Sequence, residues 1–277
     1  MKWLLIVGGV AVAAWPLAQD AIVAYQARTK ISEIESTYDS MSSEERKHAM
    51  EQAHAYNEVL AGRPNPLGDE QIWDYDTQLT YHDEPSTMMS WIEIPKIDVK
   101  LAVYHHATEA VLMAGVGHID STSIPVGGEG TNCVVSAHSG MQSTRMFDDI
   151  RALEKGDKFV FWTLKEPFAY EVVEIRDMVE PTDTKTLEAV PGRDLATLVT
   201  CTPYNVNTHR LVVVGQRCEY VPDESQTPVA YNSRSLAPLL LAVGAVAALV
   251  LIAVIPKVRR RIKGADAKSC KATSKPI

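Results

Sequence analysis

The chain has 277 residues, of which 46% are hydrophobic, and a formal net charge of −8. This length allows one large domain or two small ones with an apolar core. An acidic chain is a poor ligand for nucleic acid, because that binding depends on basic side chains that neutralise phosphates, so no nucleic-acid partner is expected.

The N-terminal segment 1–24 starts with one charge at Lys2, which is followed by an apolar run from Trp3 to Ala18. Such a run is typical of a signal-peptide core or a short membrane anchor. Pro16 stands where a small residue would favour cleavage. The pattern therefore favours a retained signal-anchor.

A second apolar segment, residues 236–255, contains no charged side chain. At about 1.5 Å per residue, a helix of this length matches a hydrocarbon layer of about 30 Å. The tail 256–277 is strongly basic, and positive charge beside a membrane span stays in the cytoplasm. We therefore expect a transmembrane helix at each end, a cytoplasmic C-terminal tail, and an extracytoplasmic domain between them.

Residues 25–62 are predicted to form a helical extension. Ser42 and Ser43 precede Glu44 and Glu45, as at a capped helix N-terminus. Apolar residues then recur at helical spacing, which predicts a face packed on a core. These residues are Met50, Ala53, Tyr56, Val59 and Leu60.

The segment 63–85 is rich in proline and glycine, and it carries Trp73, Asp74 and Tyr75. Long loops within compact domains are often lids or binding loops. We therefore expect a lid loop here.

Residues 86–222 have the texture of a β domain. Short apolar segments alternate with turn residues, which is typical of a sandwich or closed barrel. The predicted strands are Met89–Ile94, Val99–Val103, Asn132–Ser136, Lys158–Trp162, Ala169–Val179, Ala196–Cys201 and Leu211–Gln216. Short helical turns are predicted at Glu109–Met113 and Thr144–Ile150. The polar segment 223–235 is predicted to be a linker to the membrane.

Four cysteines are present, and Cys270 falls on the predicted cytoplasmic tail. An odd number remains outside, so at least one of Cys133, Cys201 and Cys218 is not paired within the chain. A Cys133–Cys218 bridge is possible, but both can also be small buried apolar residues. No cysteine or histidine pattern has zinc spacing, and no metal is expected.

Two residues at neighbouring strand ends, one where a strand stops and one where the next begins, suit acyl transfer. A β-type segment ends at Cys201, and after a turn with Pro203 a new strand begins near Arg210. Adjacent strands lie about 4.8 Å apart, so both side chains can serve one site. A nearby cation favours the thiolate and can bind a carbonyl oxygen as charge develops there.

A histidine at the end of a third strand completes this set. His138 follows the apolar segment Val134–Ala137, and an imidazole can give a proton to a leaving amine. His118 lies in a Gly-Val-Gly-His sequence that is predicted to be a structural turn. His209 should face away from Arg210, and His105 and His106 are predicted to be exposed loop residues.

These residues lie in motifs that resemble sortases, especially the class C branch that assembles pili. The most specific match is the stretch Thr197-Leu-Val-Thr-Cys-Thr-Pro-Tyr204 followed by Asn207-Thr-His-Arg-Leu-Val-Val-Val-Gly215. Weaker matches are Ala55-Tyr-Asn-Glu-Val-Leu60, Trp91-Ile-Glu-Ile-Pro-Lys-Ile-Asp-Val99, Gly115-Val-Gly-His118 and Thr122-Ser-Ile-Pro-Val-Gly-Gly128. The resemblance covers roughly residues 55–218.

The resemblance implies a mainly β fold, a closed eight-stranded sortase-type barrel. It also implies Cys201 as nucleophile, His138 as general acid and base, and Arg210 as substrate and oxyanion stabiliser. Cys201 would cleave the Thr–Gly bond of an LPXTG-like sorting signal in an exported pilin or surface protein. A pilin lysine would then resolve the thioester. No cofactor is needed, and the expected location is the membrane of a Gram-positive bacterium.

One departure from the family concerns the lid. Class C members resembling this chain carry an Asp-Pro-aromatic triplet before the barrel, whereas residues 73–76 read Trp-Asp-Tyr-Asp and lack proline. Our hypothesis is that Asp74 pairs with Arg210 while Trp73 or Tyr75 covers Cys201.

Three other functions remain open at this point. The enzyme could attach surface proteins to a cell-wall peptide rather than polymerise pilins. It could be a thiol peptidase that uses water as acceptor. A third alternative is a membrane-held binding domain without catalysis, which would tolerate the loss of Cys201.

Overall fold

The computed structural model describes residues 25–80, 88–140 and 146–222, together with the single positions 9, 15 and 22. All the elements below belong to one compact unit, residues 19–232.

Within the described ranges, no helix has the length and apolar character needed to cross a membrane. The membrane segments predicted at 1–24 and 236–255 lie outside those ranges, apart from the three single positions. The predicted linker 223–235 and tail 256–277 also lie outside them.

Eight strands form a closed barrel. They are β1 Met88–Ile94, β2 Val99–Tyr104, β3 Val116–His118, β4 Thr131–Ser136, β5 Lys158–Thr163, β6 Glu166–Val179, β7 Asp194–Thr202 and β8 His209–Arg217. Their order around the barrel is β1-β2-β3-β4-β7-β8-β6-β5. The pairs β2–β3 and β4–β7 are parallel, and the remaining pairs are antiparallel. The predicted mainly β barrel is thereby confirmed.

The shortest strand, β3, was not among the strands predicted from the pattern. Two glycines in Gly115-Val-Gly-His118 made a turn the natural expectation, and that expectation is wrong. A Cβ on Gly117 would lie 2.6 Å from the carbonyl oxygen of His106. Gly117 is therefore needed because residues 105–108, which follow β2, pass close to β3, not because the chain turns there.

Side chains alternate between the two faces of the barrel wall, as strand geometry requires. On β7, Ala196 and Leu198 join the main core inside the barrel, whereas Val199 points outward. A smaller apolar group covers the outer face of β4, β7 and β8. This outer apolar cluster consists of Val134, Leu195, Val199, Val212 and Val214.

Two helices precede the barrel: α1, whose described part covers residues 25–40, and α2, Ser43–Leu60. The Ser42 hydroxyl accepts a hydrogen bond from the Glu45 N–H at 3.1 Å, and the Glu45 carboxylate accepts one from the Ser42 N–H at 2.7 Å. This reciprocal capping box confirms the predicted helix start.

The buried face of α2 differs partly from the prediction. Met50 and Ala53 are buried as expected, but Val59 and Leu60 are 44% and 41% exposed. The buried residue near this end of α2 is instead Asn57. Its side-chain amide donates to the carbonyls of Ile124 and Gly127 and accepts from the Ile124 N–H. These bonds fix α2 to the β3–β4 connection.

One further α-helix, α3, covers Glu109–Ala114 and matches its prediction. Of the helical turns predicted at Thr144–Ile150, positions 144 and 145 lie outside the described residues, and the remainder overlaps a 3-10 helix, Asp148–Ala152. Further 3-10 helices are Tyr75–Thr77, Pro95–Ile97 and Thr184–Leu187. Cys133, Cys201 and Cys218 are all free thiols, so the possible Cys133–Cys218 bridge is not formed.

Candidate active site

Cys201 and Arg210 occupy directly opposite positions on antiparallel strands β7 and β8. Side chains at opposite positions share a face, with Cβ atoms about 4.5–5.5 Å apart. Cys201 has the same parity as Val199, and Arg210 the same as Val212, so both project from the outer face beside the outer apolar cluster. Both residues are partly exposed. A substrate could therefore reach the thiol from solvent.

His138 reaches the same face from β4. The parallel β4–β7 pairing ends at Ser136 and Val199, and two further residues along each chain bring His138 level with Cys201. Hydrogen bonds support this extension. The Ala137 N–H donates to the Val199 carbonyl at 3.3 Å, and the Ser139 hydroxyl donates to the Cys201 carbonyl at 2.7 Å. The three predicted catalytic residues thus lie on three adjacent strands.

The side chain of His138 forms few hydrogen bonds or ion pairs within the described part of the chain. Among the described residues, His138 Nε2 has no hydrogen-bond partner. Its nearest charge is the Glu109 carboxylate on α3, whose Oε1 lies 3.6 Å from Nε2 and whose side chain is 80% exposed. No sequence pattern pointed to Glu109, because its approach to His138 depends on how α3 packs.

The Arg210 guanidinium is held by the loop that precedes it. It donates to the carbonyl of His209 at 3.1 Å and lies 3.5 Å from that of Asn207. The adjacent His209 contacts Glu180 and Thr208 instead, at 3.2 Å and 2.9 Å. His209 was predicted to face away from Arg210, and these contacts agree.

The β6–β7 connection forms a wall beside the outer apolar cluster. Leu187, at the end of the 3-10 helix Thr184–Leu187, packs against that cluster. Its carbonyl accepts a 3.0 Å hydrogen bond from the Asn132 side chain, which in turn accepts one from the Thr197 hydroxyl at 2.8 Å. The outer face near Cys201 is therefore an apolar floor with one wall.

The predicted lid contacts are not formed in the structure. Tyr75 hydrogen-bonds His118 Nδ1 at 2.9 Å, and His118 pairs with Val135 on the core side of the barrel wall. Cys201 lies on the outer face. Asp74 is exposed and forms no ion pair in the described part of the chain. The predicted Asp74–Arg210 ion pair is therefore not formed.

Trp73 is also turned towards the helical extension. Its backbone N–H donates to the Gln52 side chain at 3.0 Å, and its ring meets His48 edge-on with centroids 5.3 Å apart. Residues 73–75 thus brace α2 against the barrel. The sequence could not reveal this, because loop composition does not specify which face the loop covers.

The remaining histidines have structural surroundings. His118 is fully buried, and burial lowers its pKa to about 4. It donates from Nε2 to the Ser123 carbonyl at 2.9 Å, so Nδ1 accepts from Tyr75. His105 was predicted to be exposed but is only 2% exposed. His106 is partly exposed and contacts two carboxylates, Asp76 and Asp120, each at 2.9 Å.

Comparison with known proteins gives a consistent result. The family model described as "Sortase domain" matches residues 92–218. The curated protein "Sortase A" of Bacillus anthracis is 30% identical over 124 residues, which cover 45% of this chain and 57% of that protein. The chain spans about half the length of the curated relatives it matches.

Solved structures match over a larger share of their length. "Sortase C1 of GBS Pilus Island 1" is similar with a TM-score of 0.64 and 32% identity, over 73% of this chain and 96% of that one. Sortase C of Clostridium perfringens, solved "with the C-terminal cell wall sorting motif", has a TM-score of 0.61 and 34% identity, over 70% of this chain and 100% of that one.

Proposed function

This chain belongs to the sortase family, whose members are cysteine transpeptidases, and its structural relatives are class C sortases; from this premise we propose that it assembles pili. It would cleave the Thr–Gly bond of an LPXTG-like sorting signal and join the acyl group to a pilin lysine. The observation that carries the proposal is the alignment of His138, Cys201 and Arg210 on adjacent strands of one outer face.

In the first half-reaction, the Cys201 thiolate attacks the carbonyl carbon of the substrate threonine. The C–N bond to glycine then breaks, and His138 gives its proton to the leaving amine. The threonine remains on Cys201 as a thioester. This thioester retains the free energy that transfer to an amine requires, so the residues need no cofactor for the step.

Arg210 stabilises the charge that develops on the attacked carbonyl oxygen. Its guanidinium is pre-oriented by the carbonyls of His209 and Asn207. A donor that is already in place costs little reorganisation when charge appears, which is why such groups contribute strongly to catalysis.

The outer apolar cluster supports recognition of a sorting signal. An LPXTG-like peptide presents leucine and proline side chains before its threonine. Two partly exposed apolar side chains that pack against this cluster, Val179 opposite Arg210 and Leu187 on the wall, offer them a surface to bury, at about 25 cal/mol per Å² removed from water. The Clostridium perfringens relative was solved with a C-terminal sorting motif, which is consistent with this substrate class.

In the second half-reaction, the neutral amine of an acceptor lysine attacks the thioester. His138 takes up the proton that the amine loses, the C–S bond breaks, and Cys201 leaves as the thiolate with which the cycle began. The pilus-island name of one structural relative favours a pilin lysine over a cell-wall peptide as acceptor. The product would be an isopeptide bond between successive pilins.

We further propose that the enzyme acts at the cell membrane with its barrel on the extracytoplasmic face. The apolar segments 1–24 and 236–255 and the basic tail 256–277 support this location. Exported pilins that bear sorting signals would reach the enzyme on that face.

The test uses the full-length protein in detergent with purified pilin, with and without its acceptor lysine. We expect ladders of covalent polymers only with the lysine-bearing pilin and only with intact Cys201. A product that carries a free threonine carboxylate even with acceptor present would indicate a thiol peptidase. Transfer to a cell-wall peptide instead of pilin would indicate an anchoring sortase.

A further inference from the structure

A buried carboxylate lies between the chain segments that follow His138 and Cys201. Asp148, the first residue of the 3-10 helix Asp148–Ala152, is 5% exposed. One of its oxygens accepts a hydrogen bond from the N–H of Gly140 at 2.7 Å. The other accepts one from the Tyr204 hydroxyl at 3.2 Å. Gly140 is two residues after His138, and Tyr204 is three residues after Cys201.

Neighbouring contacts reinforce this link. The N–H of Phe147, directly before Asp148, donates to the carbonyl of His138 at 3.1 Å. Gly140 has a φ of +78°, and a Cβ there would lie 3.0 Å from the Asn205 side chain. The two segments therefore approach so closely that a small movement of one displaces the other.

The surroundings of Asp148 fix the carboxylate rather than leave it free to move. The Arg151 side chain donates to the Asp148 carbonyl at 3.1 Å, and its guanidinium lies 5.3 Å from the centroid of the Tyr204 ring. Burial raises the pKa of Asp148, while the bonds from Gly140 and Tyr204 lower it. A carboxyl group is unfavourable in such a buried place unless its oxygens are hydrogen-bonded, as they are here.

We propose that Asp148 is a positioning residue, which ties the His138 segment to the Cys201 segment and so sets the distance between imidazole and thiol. The proposal rests on the proposed function, in which both groups act on one substrate. Neither side chain is held by a strong bond of its own, since His138 Nε2 has no hydrogen-bond partner among the described residues. Their placement consequently depends on the main chain that carries them.

The magnitude of such an effect is set by geometry. A displacement of about 1 Å between reacting groups can cost about a hundredfold in rate. Loss of the Asp148 link should therefore appear in kcat, whereas substrate contacts elsewhere on the outer face remain and KM should change little.

The chain contains a closely matched control in Asp194, the first residue of β7. It is a partly buried carboxyl group that likewise accepts from a glycine N–H and a tyrosine hydroxyl, here Gly128 at 3.0 Å and Tyr170 at 3.1 Å. Burial raises its pKa as well. Cys201 lies seven positions further along β7, which is about 23 Å along a strand. Its loss should affect folding without affecting the site.

The experiment compares Asp148→Ala, Asp148→Asn and Asp194→Ala in the full-length protein. Both alanine variants should unfold at lower temperature than the wild type. Only Asp148→Ala should lower kcat for amide formation, by about tenfold to a hundredfold. Asp148→Asn should recover most of the activity, because its amide can accept from Gly140 and donate to the Tyr204 oxygen. Equal kcat values in the two alanine variants would overturn the proposal.

A second variant covers the case that Asp148→Ala does not fold. Tyr204→Phe removes only the hydroxyl that reaches Asp148, and we expect it to lower kcat with little change in KM. Wild-type kcat in Tyr204→Phe would then reject the link.

A readout that needs no sorting signal separates this proposal from the proposed function. Alkylation by iodoacetamide is followed at the Cys201 peptide by mass spectrometry, since Cys218 is also free and partly exposed. In Asp148→Ala it should slow by at least about threefold relative to Asp194→Ala, because the imidazole that can take up the thiol proton is displaced from the sulfur. Wild-type protein that reacts with iodoacetamide but forms no amide would reject the proposed function only. Equal alkylation rates would reject the role of Asp148 only.

Discussion

Cys201 and Arg210 face each other across the β7–β8 ladder, one residue before the end of β7 and one after the start of β8. The pairing places thiol and guanidinium on the outer face of the barrel, while the next residue on β8, Leu211, belongs to the core. Because side chains alternate between the two faces of a strand, Arg210 shares the outer face with Cys201, whereas Leu211 does not.

The role of Arg210 can be tested against its neighbour on β8. Arg210→Ala should lower kcat/KM for the sorting-signal peptide by about a hundredfold to a thousandfold, the usual effect of removing a donor to a developing oxyanion. His209→Ala should lower it by less than about threefold, because His209 contacts Glu180 and Thr208 instead. Steady-state kinetics of both variants provide the comparison, and similar losses would contradict the role of Arg210.

The bracing role of Tyr75 predicts a loss of stability without a gain in activity. Tyr75→Phe removes the hydroxyl that bonds His118 Nδ1 and accepts from the His106 N–H. An unsatisfied buried acceptor costs about 1–3 kcal/mol of unfolding free energy. Urea unfolding measures this loss, and peptide cleavage should not accelerate. Faster cleavage at unchanged stability would restore the lid hypothesis.

His118 makes the fold sensitive to acid. Its pKa is lowered to about 4 by burial, against about 6.5 in an unfolded chain. The unfolded state therefore binds the proton first, so stability is present above pH 6.5 and is lost as pH falls towards 4. The full loss is about 3 kcal/mol.

The measurement for His118 is the free energy of unfolding of wild type and His118→Gln from pH 7.5 to 4. Carboxylates contribute to both proteins alike, so the difference between them isolates the histidine. A difference that stays constant over this range would contradict the prediction.

His106 gives the opposite pH dependence. Hydrogen bonds to Asp120 and Asp76 raise its pKa. A raised pKa means that the stabilisation is complete below about pH 6.5 and disappears as pH rises through the folded-state value. Above it, a neutral imidazole can donate to only one of the two carboxylates, so the link from Asp76 in the 3-10 helix Tyr75–Thr77 through His106 to Asp120 weakens, while the hydrogen bonds of the Tyr75 hydroxyl remain.

Hydrogen exchange at the Thr77 and Gln78 amides tests whether His106 holds the 3-10 helix Tyr75–Thr77. Both amides donate to the Asp74 carbonyl, and their protection, corrected for intrinsic exchange, should fall between pH 6 and pH 8 in wild type. His106→Gln should show low protection at both pH values. Equal protection in the two proteins would show that His106 does not hold this segment.

The barrel and the positions of Cys201, His138 and Arg210 followed well from sequence, because each lies where an apolar strand meets a turn. Strand periodicity carries that information locally. By contrast, the sequence pattern did not predict β3. The glycine at position 117 suggested a turn, whereas it is needed for close contact with the β2–α3 connection. Close approach between segments leaves no periodic trace in a sequence.

Residues whose surroundings come from other segments were the least predictable. His105 is buried only because the segment around Tyr75 packs on it, with ring centroids 5.0 Å apart. The lid hypothesis failed for the same reason, since composition identified a loop with aromatic residues but not the face that it covers. Asp148 gave no signal either, because an acidic pair in the first turn of a short helix normally indicates a solvated helix start.

The proposed reaction passes through a thioester at Cys201. Full-length protein is mixed with a sorting-signal peptide, quenched in acid within the first turnover, and analysed by peptide mass spectrometry. We predict that the mass of the peptide acyl fragment ending in threonine is added to Cys201 in wild type and is absent in Cys201→Ala. An adduct on Cys218, or peptide cleavage that persists in Cys201→Ala, would contradict it.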